Sequence, residues 1–330
     1  YFQIGMGALA GLVLFLYGVT RLAEGMEKLA SDRLKDILGK VTTNRFLGVL
    51  SGAAATTVLE SSSVTIIMVI ALVSAGLLTF VQSLGVVLGS NIGTAIGSQL
   101  VAFEIHAYAP IALAIGTLLQ FLGRSDQQKS LGLVIFGFGL LFFGLDTLEE
   151  AMKPFRKYQP FLDWMVSLGK NPLLGVLVGA LFTVAIQSSS ATVAVVITLS
   201  LSGLLTLSTG IVLMLGAEVG TCADTLVATL GRGRPALRTG LFHLLFNVGC
   251  AAVGVALAPQ LADLAAWLSG QGASVGRQIA TAQMIFNVVG VVAVIFFLPA
   301  IAAALEKLLP DDPSDQLAEE TPPQSEGTSS

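Results

Sequence analysis

Val58-Leu-Glu-Ser-Ser-Ser-Val-Thr-Ile-Ile-Met-Val69 places one carboxyl and three hydroxyls in a row inside an otherwise apolar run. The same chemistry returns 127 residues later, in Ala185-Ile-Gln-Ser-Ser-Ser-Ala-Thr-Val-Ala-Val-Val196. At that shift Asn44–Thr94 aligns with Asn171–Thr221 without a gap, and 23 of the 51 positions are identical. Shared positions include Gly48/Gly175, Gly52/Gly179, Thr56/Thr183, Thr65/Thr192 and a Gly-Leu-Leu-Thr at Gly76–Thr79 and Gly203–Thr206. Each copy ends on a second polar motif, LGSNIGT at Leu88–Thr94 and LGAEVGT at Leu215–Thr221. Chance similarity between two Leu/Val/Gly-rich segments would repeat apolar residues; it does not explain repeated polar ones. The chain reads as an internal duplication.

The surroundings of these motifs are lipid. The 330 residues are 54% hydrophobic and only 12% charged, and the mean hydropathy is +0.83, outside the range of soluble domains. Long apolar runs rather than short alternating ones indicate an all-α polytopic membrane protein. The first run, Gly5–Leu22, lacks a basic leader and a small-residue cleavage site, and is expected to be a retained helix. Cys222 and Cys250 lie in apolar segments and indicate no disulfide framework. The formal charge is −4, but residues 310–330 hold six acids and no base, so the rest carries 17 basic against 15 acidic residues. That Pro-, Ser- and Glu-rich tail is expected to be disordered.

Spanning helices are expected at Ile4–Leu29, Val81–Val101, Tyr108–Leu122, Ser130–Leu148, Leu207–Leu230, Ala236–Ala258 and Ala280–Leu308, about seven crossings in all. Val81–Val101 and Leu207–Leu230 carry polar motifs and are expected to be broken. Phe46–Leu78 and Leu173–Leu205 fit no single span: at ~1.5 Å per residue each makes a helix of roughly 50 Å against a core of about 30 Å. Each is expected to be a re-entrant hairpin turning at Glu60–Ser63 or Gln187–Ser190, with its tip inside the bundle. The Gly48-x-x-x-Gly52 and Gly175-x-x-x-Gly179 spacings suit close helix contact there.

Three crossings between the hairpins would invert the second unit, relating the repeats by a two-fold axis in the membrane plane; a bent but fully crossing segment would make them parallel. The expected units are 1–126 and 127–258 as transport repeats, 259–309 as a final transmembrane helix, and 310–330 as the tail. On this map eleven Lys and Arg follow the first helix on one side (Lys28, Arg33, Lys35, Lys40, Arg45, Arg124, Lys129, Arg232, Arg234, Arg238, Lys307), against five on the other. The positive-inside rule then puts the N-terminus outside and the C-terminus in the cytoplasm.

A helix that begins after three serines aims free backbone N–H groups and its positive dipole end at the tip, which suits an anion. The hydroxyls add rotatable donors and spare lone pairs, so a small cation can be held by oxygens of the same tip. No lysine or arginine is needed, and an ion held that way can be released.

These paired motifs, Gln187-Ser-Ser-Ser190 with its variant Glu60-Ser-Ser-Ser63 and Gly89–Thr94 with its variant Gly216–Thr221, resemble the type II sodium/phosphate cotransporter family, as does His243-Leu-Leu-Phe-Asn247. The resemblance implies a bacterial-type member, without a PhoU-type regulatory domain, that carries inorganic phosphate with sodium across the cell membrane, the bacterial inner membrane. It implies no enzymatic activity, no cofactor beyond co-transported sodium, no nucleic-acid partner, and leaves room for a homo-oligomer. By the resemblance, Ser61, Ser62, Ser63, Gln187, Ser188, Ser189 and Ser190 line the phosphate site, with Asn91, Thr94 and Thr221 beside them. Sodium would use Glu60, Gln187, Ser63, Ser190, Asn91, Glu218 and Asp224.

Two residues depart from the pattern: Glu60 stands where the family has Gln, and Glu218 where it has Asn. A glutamate at membrane depth costs roughly 3 kcal/mol on insertion scales, which calls for a partner or a function. Each is open to four readings: a sodium ligand, a titrating group that makes coupling partly proton-based, a protonated stand-in for the amide, or a change of anion. Arg21 and Glu24 are placed to pair across one helical turn, and Lys153–Lys157 with Phe155, Tyr158 and Trp164 reads as an interfacial stretch. His243 is expected to be structural, because His106 is far away in sequence; Asn247, Gln283 and Asn287 are expected to hydrogen-bond between helices. A serine hydrolase is excluded by the lack of a Gly-x-Ser-x-Gly elbow and of a histidine near either triplet. A channel fits twin closed tips less well than alternating access does.

Overall fold

The computed structural model describes residues 2–41, 44–102 and 108–311, with backbone only for Gln3 and 30–41; His106 and the tail from Asp312 lie outside these residues. Every regular element among them is helical: α1 (Phe2–Val41), α2 (Arg45–Leu59), α3 (Ser62–Ser74), α4 (Phe80–Val101), α5 (Ala109–Leu122), α6 (Asp126–Met152), a 3₁₀ turn at Lys153–Lys157, α7 (Gln159–Lys170), α8 (Pro172–Ile186), α9 (Ser189–Leu201), α10 (Leu207–Gly220), α11 (Cys222–Val227), α12 (Gly233–Ala256), α13 (Ala258–Ser269), α14 (Val275–Ile295) and α15 (Leu298–Leu308). Six stretches are long and apolar enough to cross a membrane: α1, α4, α6, the α10–α11 run, α12 and α14. The chain is a multi-pass membrane protein.

The duplicated segments fold alike because their local signals are the same. Asn44 caps α2 by accepting from the Leu47 N–H (2.9 Å), and Asn171 caps α8 through Leu174 (3.4 Å). Thr79 caps α4 and Thr206 caps α10. Small residues then let the paired helices meet backbone to backbone. A Cβ added at Gly52 would lie 2.2 Å from the Val86 carbonyl oxygen, and one at Gly179 would lie 2.2 Å from that of Leu213. Thus α2 lies against α4, and α8 against α10, in the same register. Outside the duplication, α1 packs along α6 by the same device: Gly18 abuts Leu141, and Gly144 abuts Phe15.

Three expectations change. Val81–Val101 is not broken: α4 is continuous, because its polar side chains fold back on their own helix, Asn91 donating to the Val87 carbonyl (3.0 Å) and Thr94 to that of Ser90 (3.1 Å). The second copy is interrupted, at Thr221 between α10 and α11. Tyr108–Leu122 yields only the 14-residue α5, about 21 Å at the helical rise, so six rather than seven helices span by themselves. The final segment is not one helix but three, α13, α14 and α15; Pro259 and Pro299 sit in the first turns of α13 and α15, where a missing N–H is tolerated and the preceding helix must end.

The 3₁₀ turn carries Arg156 and Lys157, and α7 meets α8 at 107°. Arg21 and Glu24 pair at 2.7 Å, as the spacing anticipates.

Candidate functional site

The two helix pairs α2–α3 and α8–α9 are each interrupted by a single residue with left-handed backbone, Glu60 (φ 51°) and Gln187 (φ 56°). These are the two non-glycine residues of positive φ among the described residues. Such a conformation costs on the order of 1 kcal/mol or more and persists only where the surroundings impose it. The imposing contacts are duplicated. Thr56 donates to the Thr65 hydroxyl across the first pair (2.9 Å), and Thr183 bonds Thr192 across the second (2.7 Å). Ser61 then caps α3 by accepting from the Val64 N–H (3.2 Å), and Ser188 caps α9 through Ala191 (3.1 Å).

These caps divide the labour within each serine triplet. The first hydroxyl of each is engaged with its own helix. The backbone N–H groups of Ser62 and Ser63, and of Ser189 and Ser190, head a helix and have no partner one turn earlier. Ser62, Ser63 and Ser189 are buried, Ser61, Ser188 and Ser190 half-buried, and Gln187 exposed.

The first tip reaches the other repeat. Ser63 Oγ lies 3.2 Å from Thr221 Oγ1, at the interruption between α10 and α11, and the Ser63 hydroxyl also lies beside the Asp224 carboxylate. Asp224 in turn accepts from the Thr225 N–H at 2.7 Å. The packing is reciprocal at the level of helices, α3 against α11 and α9 against α4. Ser63, Thr221 and Asp224 are therefore brought together. Asn91 and Thr94, both buried, bond within α4.

Glu60 is placed differently. Its carboxylate rests on α4, where a Cβ at Gly97 would lie 2.6 Å from Glu60 Oε2. Gly97 carries no motif and was missed by sequence reading. Its signal lies in the duplication: three residues beyond the aligned block, the 127-residue shift pairs Gly97 with Asp224. One copy thus has an acid at the tip and glycine on the helix, and the other has an amide at the tip and an acid on the helix.

Glu218 stands apart from the serines. It is 1% exposed, and its Oε1 accepts from Gln283 Nε2 (2.7 Å) and Asn287 Nδ2 (3.2 Å) of α14. Gln283 and Asn287 bond between helices as expected, whereas Asn247 donates within α12, to the His243 carbonyl (3.0 Å). His243 is structural: its Nδ1 bonds the Thr225 hydroxyl at 2.9 Å and its Nε2 faces Cys222 Sγ at 3.9 Å.

The family model for the Na+/Pi-cotransporter matches residues 14–150 and 157–308. The chain is 28% identical over 289 residues to the uncharacterized protein YqeW of Bacillus subtilis, covering 87% of this chain and 92% of that one. It is 25% identical over 306 residues to the putative inorganic phosphate export protein YjbB of Salmonella typhimurium, covering 92% of this chain but 56% of that one, so it spans little more than half of that relative. Over 129 residues, 36% of this chain and 19% of the other, it is 32% identical to the human sodium-dependent phosphate transport protein 2B. No solved structure matches it. The family is one of transporters and not of enzymes, and its model runs through both helix interruptions, both serine triplets and the α4 and α10 motifs: this chain is a member of the Na+/Pi-cotransporter family.

Proposed function

We propose that the protein is a secondary active transporter that moves inorganic phosphate across the cell membrane in symport with sodium, by alternating access, with the anion held between the two serine-rich tips. The observation that carries this reading is the contact between Ser63 and Thr221 across the duplication (3.2 Å). It joins a helix N-terminus with free N–H groups to the interruption of a partner helix, so donors converge from both repeats. Phosphate oxygens would take the N–H groups of Ser62, Ser63, Ser189 and Ser190 and the hydroxyls of the triplets, with Thr221, Thr94 and Asn91 lining the walls. Sodium would use oxygens of Ser63, Ser190, Gln187, Glu60, Asp224, Glu218 and Asn91.

The units 1–126 and 127–258 act as inverted repeats in this reading, each contributing one re-entrant hairpin, with the cationic loops cytoplasmic, the N-terminus outside and the C-terminus inside. The relatives named for phosphate export and for sodium-dependent phosphate transport share the cargo. Direction in a symporter follows the imposed gradients.

A second reading is supported by Glu60 and Glu218. An acid at a tip repels a dianion, and acids that bind a proton in place of sodium would make the coupling proton-based or favour another small anion. Radiolabelled phosphate uptake into proteoliposomes tests both. Accumulation driven by an inward sodium gradient, and absent with potassium, is expected. No phosphate movement under any sodium or proton gradient sinks the phosphate reading, and accumulation driven by a proton gradient alone sinks sodium coupling.

A further inference from the structure

The amides beside Glu218 turn their donors to its carboxylate and leave their oxygens without a partner. Gln283 and Asn287 spend amide N–H groups on Glu218 Oε1, and Asn287 Nδ2 also reaches the Gln283 carbonyl oxygen (3.1 Å). Asn247 Nδ2 is held by the His243 carbonyl (3.0 Å), and Asn247 lies beside Cys222, whose Sγ contacts the Glu218 carbonyl oxygen at 3.6 Å. With the nitrogens so committed, the amide oxygens are oriented the other way. Gln283 Oε1, Asn287 Oδ1 and Asn247 Oδ1 are all buried and have no donor. All four residues are at most 1% exposed.

A buried acceptor without a partner costs about 1–3 kcal/mol, and one remedy would serve the oxygens of Gln283 and Asn287, the two amides bonded to Glu218. A hard cation takes oxygen ligands and neutralises the carboxylate. One carboxylate matches one positive charge; a divalent ion would leave a buried net charge.

We propose that Glu218, Gln283 and Asn287, with Asn247 at the edge, form a binding site for one sodium ion between α10, α12 and α14, separate from the serine tips. The proposal rests on the sodium-coupled reading above and adds ligands from α14, which lies outside both repeats. Asn91 occupies the position equivalent to Glu218 in the first repeat, so this acidic site is not doubled. Because α14 packs on both α4 and α10, an ion here fastens the second repeat to a helix shared with the first.

The test uses the purified protein without phosphate: thermal unfolding across a sodium chloride series at constant ionic strength, balanced with choline chloride, and a parallel potassium series. Wild type is expected to show a saturable rise in Tm with sodium and a much smaller one with potassium. Glu218→Gln and Asn287→Ala are expected to weaken the apparent sodium affinity at least tenfold, while Glu24→Gln, on an exposed ion pair of α1, leaves it unchanged. Should Glu218→Gln fail to fold, Asn287→Ala and Gln283→Ala keep the carboxylate and test the amides. A wild-type protein that responds to pH but not to sodium overturns the site, as do variants whose sodium affinity stays within twofold of wild type. Sodium-driven phosphate uptake in a protein whose sodium response survives these substitutions would sink this site alone; a sodium response without phosphate uptake would sink the cargo reading alone.

Discussion

Glu60 combines a left-handed backbone with a carboxylate resting on Gly97, so the space above that glycine decides where the acid points. Gly97→Ala is expected to displace the carboxylate and lower phosphate uptake roughly tenfold, about 1.4 kcal/mol. Because Glu60→Ala removes the clashing group, Gly97→Ala should be nearly silent in that background; additive losses in uptake would show that the contact is not the cause. Ser63 and Thr221 make a second testable pair. A double-mutant cycle of Ser63→Ala and Thr221→Val, read as apparent phosphate affinity, is expected to give a coupling of about 1 kcal/mol, and strict additivity would separate the tip from the α10–α11 interruption. The acids themselves are tested by Glu60→Gln and Glu218→Asn, which give each position the amide that its counterpart in the other copy carries, Gln187 and Asn91. Uptake should change in its dependence on sodium or pH, and if both dependences stay as in wild type the glutamates are only surrogates for amides.

Helices in this bundle are held by two kinds of contact, and each makes its own prediction. The Thr56–Thr65 and Thr183–Thr192 bonds clamp the helix pairs one turn from each left-handed residue. Thr183→Val removes a hydroxyl but keeps the shape, and is expected to cost about 1 kcal/mol, seen as a lower Tm in detergent. The glycine contacts are less forgiving. A methyl at Gly52 would meet a backbone oxygen at 2.2 Å, and neither helix can yield without moving the tip it supports. Gly52→Ala should therefore lower Tm more than Thr183→Val does, and a smaller effect would mean that α2 and α4 slide freely.

Across the whole molecule, the relation between the repeats turns on α5. This helix covers 14 residues and must still carry the chain across if the second unit is to be inverted. Single cysteines at Arg45 and Lys170, at the starts of the two duplicated segments, in a background without Cys222 and Cys250, are expected to react with an impermeant reagent from opposite sides of the membrane. Labelling from the same side would make the repeats parallel. At the far end, buried Arg238 donates through Nε to the Leu309 carbonyl (2.7 Å) and through Nη2 to Asp311 (2.6 Å), with its guanidinium 5.8 Å from the Phe80 ring. Arg238→Ala should lower stability by about 2 kcal/mol, the scale of a charged hydrogen bond, and release the end of α15 to proteolysis.

From sequence alone came the membrane class, the duplication and both helix interruptions, because each depends on contacts within a turn or on whether a segment prefers lipid to water; the helices were expected to begin after the three serines, and instead start at Ser62 and Ser189 with the first serine as cap. Local chemistry repeated in two copies folds the same way twice, so Glu60 and Gln187 could be singled out before any helix was packed. Tertiary structure alone decided that Ser63 meets Thr221, that Glu60 lies on Gly97, and that Glu218 takes donors from Gln283 and Asn287, 65 and 69 residues further on. It also decided that α4 stays whole, since Asn91 and Thr94 found acceptors on their own helix. The reason is physical: in lipid no hydrophobic difference marks which face of an apolar helix turns inward, and the choice falls to shape, small residues and the few polar groups that must find one another.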